Sequence, residues 1–382
     1  MNSQIVLPRI LQIGAGASKE IGNILKGLGC SKPLIVTDKM MVQLGYVNRI
    51  QEHLPESEIY DDTVPEPTEE SILAGVAMVR DGDFDSIIAI GGGSPIDSAK
   101  AISILGKHGG EMRDYMVPRV VNEPGLPIIA IPTTAGTGSE ATRVTIITDE
   151  KVDEKMLCMG MGFMPTAALV DFELTISLPP RTTADTGIDA LTHAMEAYVS
   201  KKANLYSDSQ AISAMGLIAP NLRRAFDDGE DKPAREAMML GATLAGVAFS
   251  NASVALVHGM SRPIGAFFHV PHGLSNAMLL PKVTAFSIPA AVSRYADCAR
   301  AMKIALVSDS DTSANKKLID ELIAINDELD VPTPAAFGIE KDHFFEVRHT
   351  MAEQALASGS PGNNPRVPSA EEIVGLYEKL WA

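Results

Sequence analysis

The chain has 382 residues, 46% of them hydrophobic, and a formal net charge of −16. This length favours two domains over a single core, and the acidic balance argues against nucleic acid or an anionic membrane surface as a partner. Cys30, Cys158 and Cys298 are too few and too widely spaced for a disulfide framework or a cysteine zinc site. The N-terminus lacks a basic segment followed by a long apolar run, so we expect no signal peptide and a cytoplasmic protein.

Short β-branched runs alternate with helical patterns in the first half of the chain. We predict strands at 33–38, 86–93, 126–134 and 167–171, and helices at 39–53, 68–80 and 95–106. Such alternation predicts a parallel sheet covered by helices. Two prolines in 177–183 end the pattern, and the remainder shows helical spacing without clear strands. We therefore expect an α/β domain over residues 1–180 and an all-α domain over residues 181–382.

The segment "AIGGGSPIDSAKAI" (89–102) has the pattern of a strand, a glycine run and a helix. We expect Ser94 to cap that helix and Asp97 to complete a capping box. The free N–H groups and the dipole at the helix start favour an anion such as a diphosphate. A second hydroxyl- and glycine-rich loop, "TTAGTGSE" (133–140), also follows a predicted strand. Two such loops at strand ends indicate a nucleotide site, although a purely structural strand–helix turn is the alternative for the first.

Asp38 ends the predicted strand "LIVTD". A carboxylate at this point can bind the hydroxyls of an adenine ribose and repel a 2′-phosphate. It can equally serve as the N-cap of the helix that follows. The spacing alone does not separate these two roles.

The longest apolar stretch, residues 237–257, is uncharged and long enough to cross a bilayer. It contains Thr243, Ser250, Asn251 and Ser253 and stands alone in an acidic chain. We expect it to be the buried central helix of the helical domain and not a membrane helix.

One carboxylate and three imidazoles in the second half could share a divalent metal: Asp189, His193, His258 and His272. The first two lie four apart in a helical pattern and so share a helix face. Glu196 and Asp185 lie one turn to either side of this pair, where a supporting role is expected before ligation.

Several long motifs in this order resemble the iron-containing alcohol dehydrogenase family: "GGGSPIDSAKAI", "IPTTAGTGSEAT", "DALTHAMEAY", "LVHGM" and "PHGLSNAMLLP". The resemblance covers nearly the whole chain. It implies an NAD-dependent oxidoreductase of primary alcohols or aldehydes, with a dehydroquinate synthase-like architecture: a nucleotide-binding α/β domain, a helical domain, and a metal in the cleft between them. The family's metal, Fe²⁺ with zinc as a possibility, would be held by the four ligands named above. Its nucleotide contacts fall on Asp38, Gly92, Gly93, Ser94, Asp97, Thr133, Thr134, Thr137 and Lys155.

The chain departs from the family at one position. Many relatives carry a histidine four residues after the third ligand, within "HGMAH", whereas "HGMSRP" places Arg262 there. A fixed cation near the metal could hold a carboxylate, phosphonate or sulfonate of a short substrate, or it could pair with Glu196 or Asp185. His269 could supply the proton relay that the missing histidine leaves open, or it could have only a packing or surface role.

Three other functions compete with an alcohol dehydrogenase. A glycerol dehydrogenase-like zinc enzyme is the nearest. A dehydroquinate synthase-like lyase would need a cluster of basic side chains that the helical half lacks, and a non-catalytic nucleotide-binding module would not need four metal ligands. The resemblance favours a small-molecule alcohol or aldehyde substrate and a homodimer or higher homo-oligomer, without nucleic-acid or membrane partners.

Overall fold

The structure, a computed structural model, describes residues 3–54, 56–152 and 154–381. These residues divide into two compact units. The α/β unit is Val6–Ser177, and the helical unit comprises residues 178–381 with residues 3–5.

A six-stranded sheet forms the centre of the α/β unit, and a two-stranded hairpin accompanies it. The strands are β1 (Ile10–Ile13), β2 (Pro33–Val36), β3 (Glu58–Tyr60), β4 (Ser86–Gly91), β5 (Ile128–Pro132), β6 (Val144–Asp149), β7 (Glu154–Met159) and β8 (Ala167–Val170). The order in the sheet is β1-β8-β5-β4-β2-β3, and every neighbouring pair is parallel. The predicted parallel sheet is confirmed, and β1, β3 and the antiparallel β6–β7 hairpin are additions that the sequence did not suggest.

Five helices accompany the sheet: α1 (Ile21–Leu28), α2 (Lys39–Gln43), α3 (Tyr46–Gln51), α4 (Glu69–Asp81) and α5 (Gly93–His108). The single helix predicted over 39–53 is wrong, because the chain forms α2 and α3 instead. Gly45 separates them with a φ of 72°, a left-handed conformation that glycine adopts without a steric cost.

Both faces of the central strands are buried, which explains why the strands are apolar runs without alternation. Along β4, Ile87 and Ala89 join one apolar cluster, whereas Ile88 and Ile90 join a second cluster on the opposite face. Burying an aliphatic side chain of this size contributes about 1.5–3 kcal/mol. The sheet is therefore held rigidly at its centre, where the glycine turn after β4 begins.

Ten helices, without a described strand, make up the helical unit: α6 (Pro180–Val199), α7 (Leu205–Asp227), α8 (Lys232–Asn251), α9 (Leu256–Phe268), α10 (His272–Ser287), α11 (Val292–Ala301), α12 (Asp311–Glu328), α13 (Pro334–Phe337), α14 (Lys341–Ala357) and α15 (Ala370–Glu378). The apolar stretch 237–257 is not one helix, because α8 ends at Asn251 and α9 begins at Leu256. Among the described residues, no helix by itself has the length and apolar character to cross a bilayer; α8 and α9 meet that criterion only as a pair bent by 103°.

A buried lysine fixes α5 to the segment that leads into the hairpin. Lys100 is fully buried, and its Nζ donates to Ser139 Oγ (2.8 Å), Thr142 Oγ1 (3.1 Å) and the carbonyl oxygen of Val144 (2.7 Å). Asp97, one turn earlier, lies 3.9 Å from the same ammonium group. Burial lowers the pKa of Lys100 to about 8, although Asp97 and Glu140 act in the opposite direction. Because all three N–H bonds are used, the lysine can remain charged in the interior at neutral pH.

We predict that Lys100→Met changes how stability depends on pH. The unfolded lysine keeps its proton up to about pH 10.5, whereas the folded one loses it near 8. Burying the charge therefore lowers the free energy of unfolding by its full amount below pH 8. This destabilisation decreases as the pH rises from about 8 to 10.5. The free energy of unfolding of the wild type, minus that of the variant, should be flat from pH 6 to 8. Above pH 8, up to pH 10, this difference should rise by on the order of 2 kcal/mol. Urea unfolding across the range measures this, and a flat difference up to pH 10 would contradict the assigned pKa.

Candidate active site

The predicted nucleotide loops lie at one edge of the sheet. β2 leads to Asp38, β4 leads to the glycines at 91–93, and β5 leads to Thr133. The chain leaves β2 toward β3 on one side, whereas from β4 it proceeds to β5 on the other side. Ligands of open α/β sheets bind at such a switch in direction, outside the carboxyl ends of the strands. The arrangement therefore fits a nucleotide placed between the ends of β2 and β4.

The turn between β4 and α5 differs from the sequence prediction. Ser94 is not the N-cap and Asp97 does not complete a capping box, because α5 begins at Gly93 with Gly92 as its N-cap and no side-chain cap. Ser94 Oγ instead accepts a hydrogen bond from the Glu66 N–H (3.3 Å). A Cβ on Gly93 would lie 2.7 Å from Thr137 Cγ2, so glycine is required for packing against the second loop. A helix start without a side-chain cap suits an anion.

Asp97 is used by the protein itself. Its Oδ1 accepts from Ser139 Oγ (2.6 Å), and its Oδ2 accepts from the backbone N–H of Ile146 (3.0 Å). Burial raises the pKa of Asp97, and the Lys100 charge and these hydrogen bonds oppose that shift. Asp97 therefore holds the Ser139 loop and the hairpin against α5, whatever contact it makes with a ligand.

Asp38 is a helix N-cap, which confirms one of its two predicted roles. Its Oδ1 accepts from the Met41 N–H (3.0 Å) at the start of α2. This bond uses one carboxylate oxygen, so the ribose role stays a prediction.

The remaining predicted nucleotide contacts lie on the β5 loop and on the hairpin. Thr133 is buried, and its Oγ1 has no hydrogen-bond partner among the described residues. Thr134 lies next to Gly92, since a Cβ there would come within 3.3 Å of Thr134 Cγ2. Lys155 is on β7, and its ammonium group forms an ion pair with the Glu66 carboxylate.

The four predicted metal ligands come together in the helical unit. Asp189 and His193 lie on α6, His258 lies on α9 and His272 begins α10. One ligand atom from each lies within 4.8 Å of the others. Asp189 Oδ1 is 3.4 Å from His258 Nε2 and 3.7 Å from His272 Nε2, and Asp189 Oδ2 is 3.8 Å from His193 Nδ1. Burial works against the charged form of Asp189, but the surrounding imidazoles lower its pKa overall.

Glu196 orients one of these imidazoles and the helix that carries it. Its carboxylate accepts from the N–H groups of Ala255 (2.8 Å) and Val257 (2.6 Å) at the start of α9, and from His258 Nδ1 (2.7 Å). A carboxylate only accepts, so His258 donates from Nδ1 to Glu196, and Nε2 is the ring nitrogen that faces Asp189 and could bind a metal. The supporting role expected for Glu196 agrees with this geometry. Asp185, by contrast, pairs with Arg181 (2.5 Å).

Sequence reasoning missed Asn276, which lies one turn after His272 on α10. Its Nδ2 donates to Asp189 Oδ1 (2.7 Å) and lies 3.2 Å from His258 Nε2 and 3.3 Å from His272 Nε2. Three ligand atoms thus converge on one positively polarised group. This convergence of acceptors is what a divalent cation requires. The four-residue spacing from His272 was the one available signal.

Arg262 and His269 have very different environments. Arg262 is 8% exposed, and its Nη1 donates to Ser360 Oγ (3.0 Å). Its Nε has no partner, and the described residues give it no carboxylate ion pair, so the alternative pairing with Glu196 or Asp185 is not formed. Burial lowers its pKa to about 10. His269 is exposed and ends α9 in a left-handed conformation with a φ of 52°.

Comparison with known proteins identifies the class of enzyme. The family model for iron-containing alcohol dehydrogenase matches residues 8–172, and that for the C-terminal part of the Fe-containing alcohol dehydrogenase family matches residues 183–381. The chain therefore belongs to the iron-containing alcohol dehydrogenase family and is an alcohol or aldehyde oxidoreductase.

Similar proteins cover the chain almost end to end. Lactaldehyde reductase of Escherichia coli K12 is 36% identical over the full length of both chains. A crystal structure of 1,3-propanediol oxidoreductase has a TM-score of 0.95 at 34% identity and covers all of both chains. Sulfoacetaldehyde reductase from Bifidobacterium kashiwanohense in complex with NAD⁺ has a TM-score of 0.89 at 27% identity, covering 100% of this chain and 99% of that one.

We predict that Glu196→Gln weakens metal binding roughly tenfold to a hundredfold, which is the usual effect of losing such an orienting partner. A glutamine amide cannot accept all three hydrogen bonds with the strength of a carboxylate. A chelator competition titration with Zn²⁺ measures the affinity. Asp185→Asn is the matched control on the same helix and should bind Zn²⁺ as the wild type does. Unchanged affinity in Glu196→Gln would show that His258 needs no orientation from this carboxylate.

Proposed function

We propose that the protein is an NAD-dependent, divalent-metal-dependent alcohol dehydrogenase or aldehyde reductase, and that it favours a short substrate bearing an acid group. Residues 1–180 would bind the nucleotide, and residues 181–382 would bind the metal and the substrate. The observation that carries the proposal is the convergence of Asp189, His193, His258 and His272 within 4.8 Å.

The four ligands and their surroundings fit a divalent metal. They offer three imidazole nitrogens and one carboxylate oxygen, a set that suits iron and accepts zinc equally well. When bound, such an ion acts as a Lewis acid toward a carbonyl or hydroxyl oxygen. Asp189 supplies the negative charge that the site needs, and Glu196 keeps His258 in the ligating tautomer. The His272 side chain is 26% exposed, whereas that of Asp189 is 2% exposed, so a substrate would approach the site on the His272 side.

The α/β unit fits a nicotinamide nucleotide, which carries the hydride when bound. The uncapped start of α5, with Gly92, Gly93 and Ser94, would hold the diphosphate through backbone N–H groups. The unpartnered Thr133 hydroxyl and the neighbouring Thr134 and Thr137 would add polar contacts. Lys155 would contribute positive charge, whereas Asp97 would act mainly by positioning the loops.

Asp38 supports a preference for NAD over NADP. Its carboxylate stands at the end of β2 and has one oxygen beyond the N-cap bond. That oxygen would accept from a ribose hydroxyl, and its charge would repel a 2′-phosphate.

Arg262 supports the acid-bearing substrate. A buried guanidinium without a carboxylate partner is costly for the fold, and Arg262 remains cationic at neutral pH even with its lowered pKa. A carboxylate, phosphonate or sulfonate would complete its hydrogen bonding. The similarity to a sulfoacetaldehyde reductase, whose name specifies a sulfonated aldehyde, agrees with this assignment. His269 is proposed as a proton relay because an imidazole can both accept and donate a proton, whereas its exposed position at the end of α9 favours a helix-ending role.

The sequence also allowed a dehydroquinate synthase-like lyase, which shares the architecture. Steady net formation of NADH from an alcohol distinguishes an oxidoreductase from a lyase, which would use the nucleotide only transiently. The family matches favour the oxidoreductase.

The metal proposal predicts that His272→Ala loses bound metal and activity together, because three ligands bind a metal far more weakly than four. Metal content after loading with Fe²⁺ or Zn²⁺ and dialysis measures the first effect, and NADH-dependent aldehyde reduction measures the second. His343→Ala removes an exposed histidine of α14 and should leave both unchanged. Full metal content in His272→Ala would rule out ligation by His272.

The acid-substrate proposal predicts a selective loss in Arg262→Ala. A charge-assisted hydrogen bond is worth roughly 1.5–3 kcal/mol, so kcat/KM for succinic semialdehyde should fall about tenfold to a hundredfold. The value for butanal, which has the same chain length without the acid, should change little. Arg262→Lys keeps the charge and should retain part of the selectivity. Equal losses for both aldehydes would show that Arg262 supports the fold and not the substrate.

A further inference from the structure

An ion pair lies beside the α5 N-terminus, where the nucleotide diphosphate is proposed to bind. Lys155 is 6% exposed at its side chain and pairs with Glu66, whose side chain is 41% exposed. The Glu66 N–H donates to Ser94 Oγ in the first turn of α5. The lysine and its carboxylate partner therefore stand together next to the uncapped N–H groups.

Backbone contacts hold the two partners in register. Lys155 is paired with Thr148 across the hairpin, and the Thr148 N–H donates to the carbonyl oxygen of Pro67 (2.7 Å). The residue before Pro67 is Glu66, so the hairpin brings the ammonium group to the carboxylate.

Glu66 itself is in an uncommon backbone conformation. Its φ of 53° is left-handed, which few residues other than glycine and asparagine adopt without cost. A conformation of this kind persists only where the surrounding contacts enforce it, and such positions cluster at ligand-binding sites. Here the Glu66 N–H bonds to Ser94 Oγ and the carbonyl of the next residue, Pro67, accepts from the Thr148 N–H, so the chain is held on both sides of Glu66.

We propose that Glu66 is an internal competitor for the nucleotide phosphate: its carboxylate holds Lys155 until the nucleotide binds, and Lys155 then exchanges that carboxylate for a phosphate oxygen. The carboxylate and a phosphate are both anions, and each would be stabilised by the same ammonium group and the same helix start. Because the Glu66–Lys155 ion pair must break when the nucleotide binds, the binding free energy is less favourable by the free energy of that pair. The inference rests on the nucleotide site proposed above.

The test is NADH affinity, measured by fluorescence titration of the zinc-loaded protein without substrate. Glu66→Gln keeps the size of the side chain and removes the competing charge. It should bind NADH about three- to tenfold more tightly than the wild type, a range set by a charged hydrogen bond discounted for the exposure of Glu66. Lys155→Met should bind NADH more weakly. Glu70→Gln removes an equal charge from an exposed position four residues away and should leave the affinity unchanged.

A double variant distinguishes the exchange of Lys155 between two anions from simple repulsion between the Glu66 carboxylate and the nucleotide. In the Lys155→Met background, Glu66→Gln should change the affinity by less than about twofold, because no ammonium group is left to release. In the Lys155→Arg background, the tightening should persist. Thermal unfolding of each variant identifies any that fail to fold, and Glu66→Asn, which suits the left-handed backbone, then replaces Glu66→Gln.

Four outcomes would overturn the proposal. Weaker NADH binding by Glu66→Gln would show that the carboxylate contacts the nucleotide. Equal tightening with and without Lys155 would show plain charge repulsion. Unchanged affinity in Glu66→Gln, with NADH bound normally by the wild type, would refute the exchange and leave the proposed function intact. A wild type that binds neither NADH nor NADPH would refute both.

Discussion

The geometry of the candidate metal site depends on the buried carboxylate of Glu196. That group accepts two N–H groups from the start of α9 and the Nδ1–H of His258, so one anion both begins a helix and aims an imidazole. α8 ends at Asn251 and α9 begins only five residues later, in a bend that exposes backbone donors. Without a carboxylate at this point, those donors would be buried unsatisfied, and His258 would have no fixed tautomer. This contact therefore holds His258 in the orientation that a metal ligand would need.

In the α/β unit, too, a few charged side chains hold separate segments together. Lys100 and Asp97, one helical turn apart on α5, bond to Ser139, to Thr142 and to the first residues of the hairpin. The loop after β5 is thereby fixed against the glycine turn after β4. The buried charge of Lys100 and the partly buried charge of Asp97 are tolerated because every donor of the lysine and both carboxylate oxygens are hydrogen-bonded. The family motif "GGGSPIDSAK" accordingly contains internal supports as well as residues that would face a nucleotide.

The secondary-structure predictions failed where local pattern and long-range pairing disagree. β7 contains Glu, Lys, Met and Leu, residues with good helix propensity, and it is a strand because it pairs with β6. Gly45 divides a continuous helical pattern into two helices. The capping box at Ser94 did not form because two glycines allowed α5 to begin two residues earlier, at Gly93 with Gly92 as its N-cap. Each error arose from a residue whose conformation is set by a partner distant in sequence or by glycine's freedom at φ > 0.

The sequence by itself determined the strand–helix alternation of the first half, the helical second half, and the residue types that can bind a metal. These follow from hydrophobic periodicity and side-chain chemistry, which are local properties. It could not determine which carboxylate supports which ligand, or that Asn276 faces the same point as Asp189. It also could not show that Lys155 is paired with Glu66 and that Arg262 is buried without a carboxylate. Those relations join residues up to about ninety positions apart, and only the packing of helices and strands, which excludes water and fixes the distances, decides them.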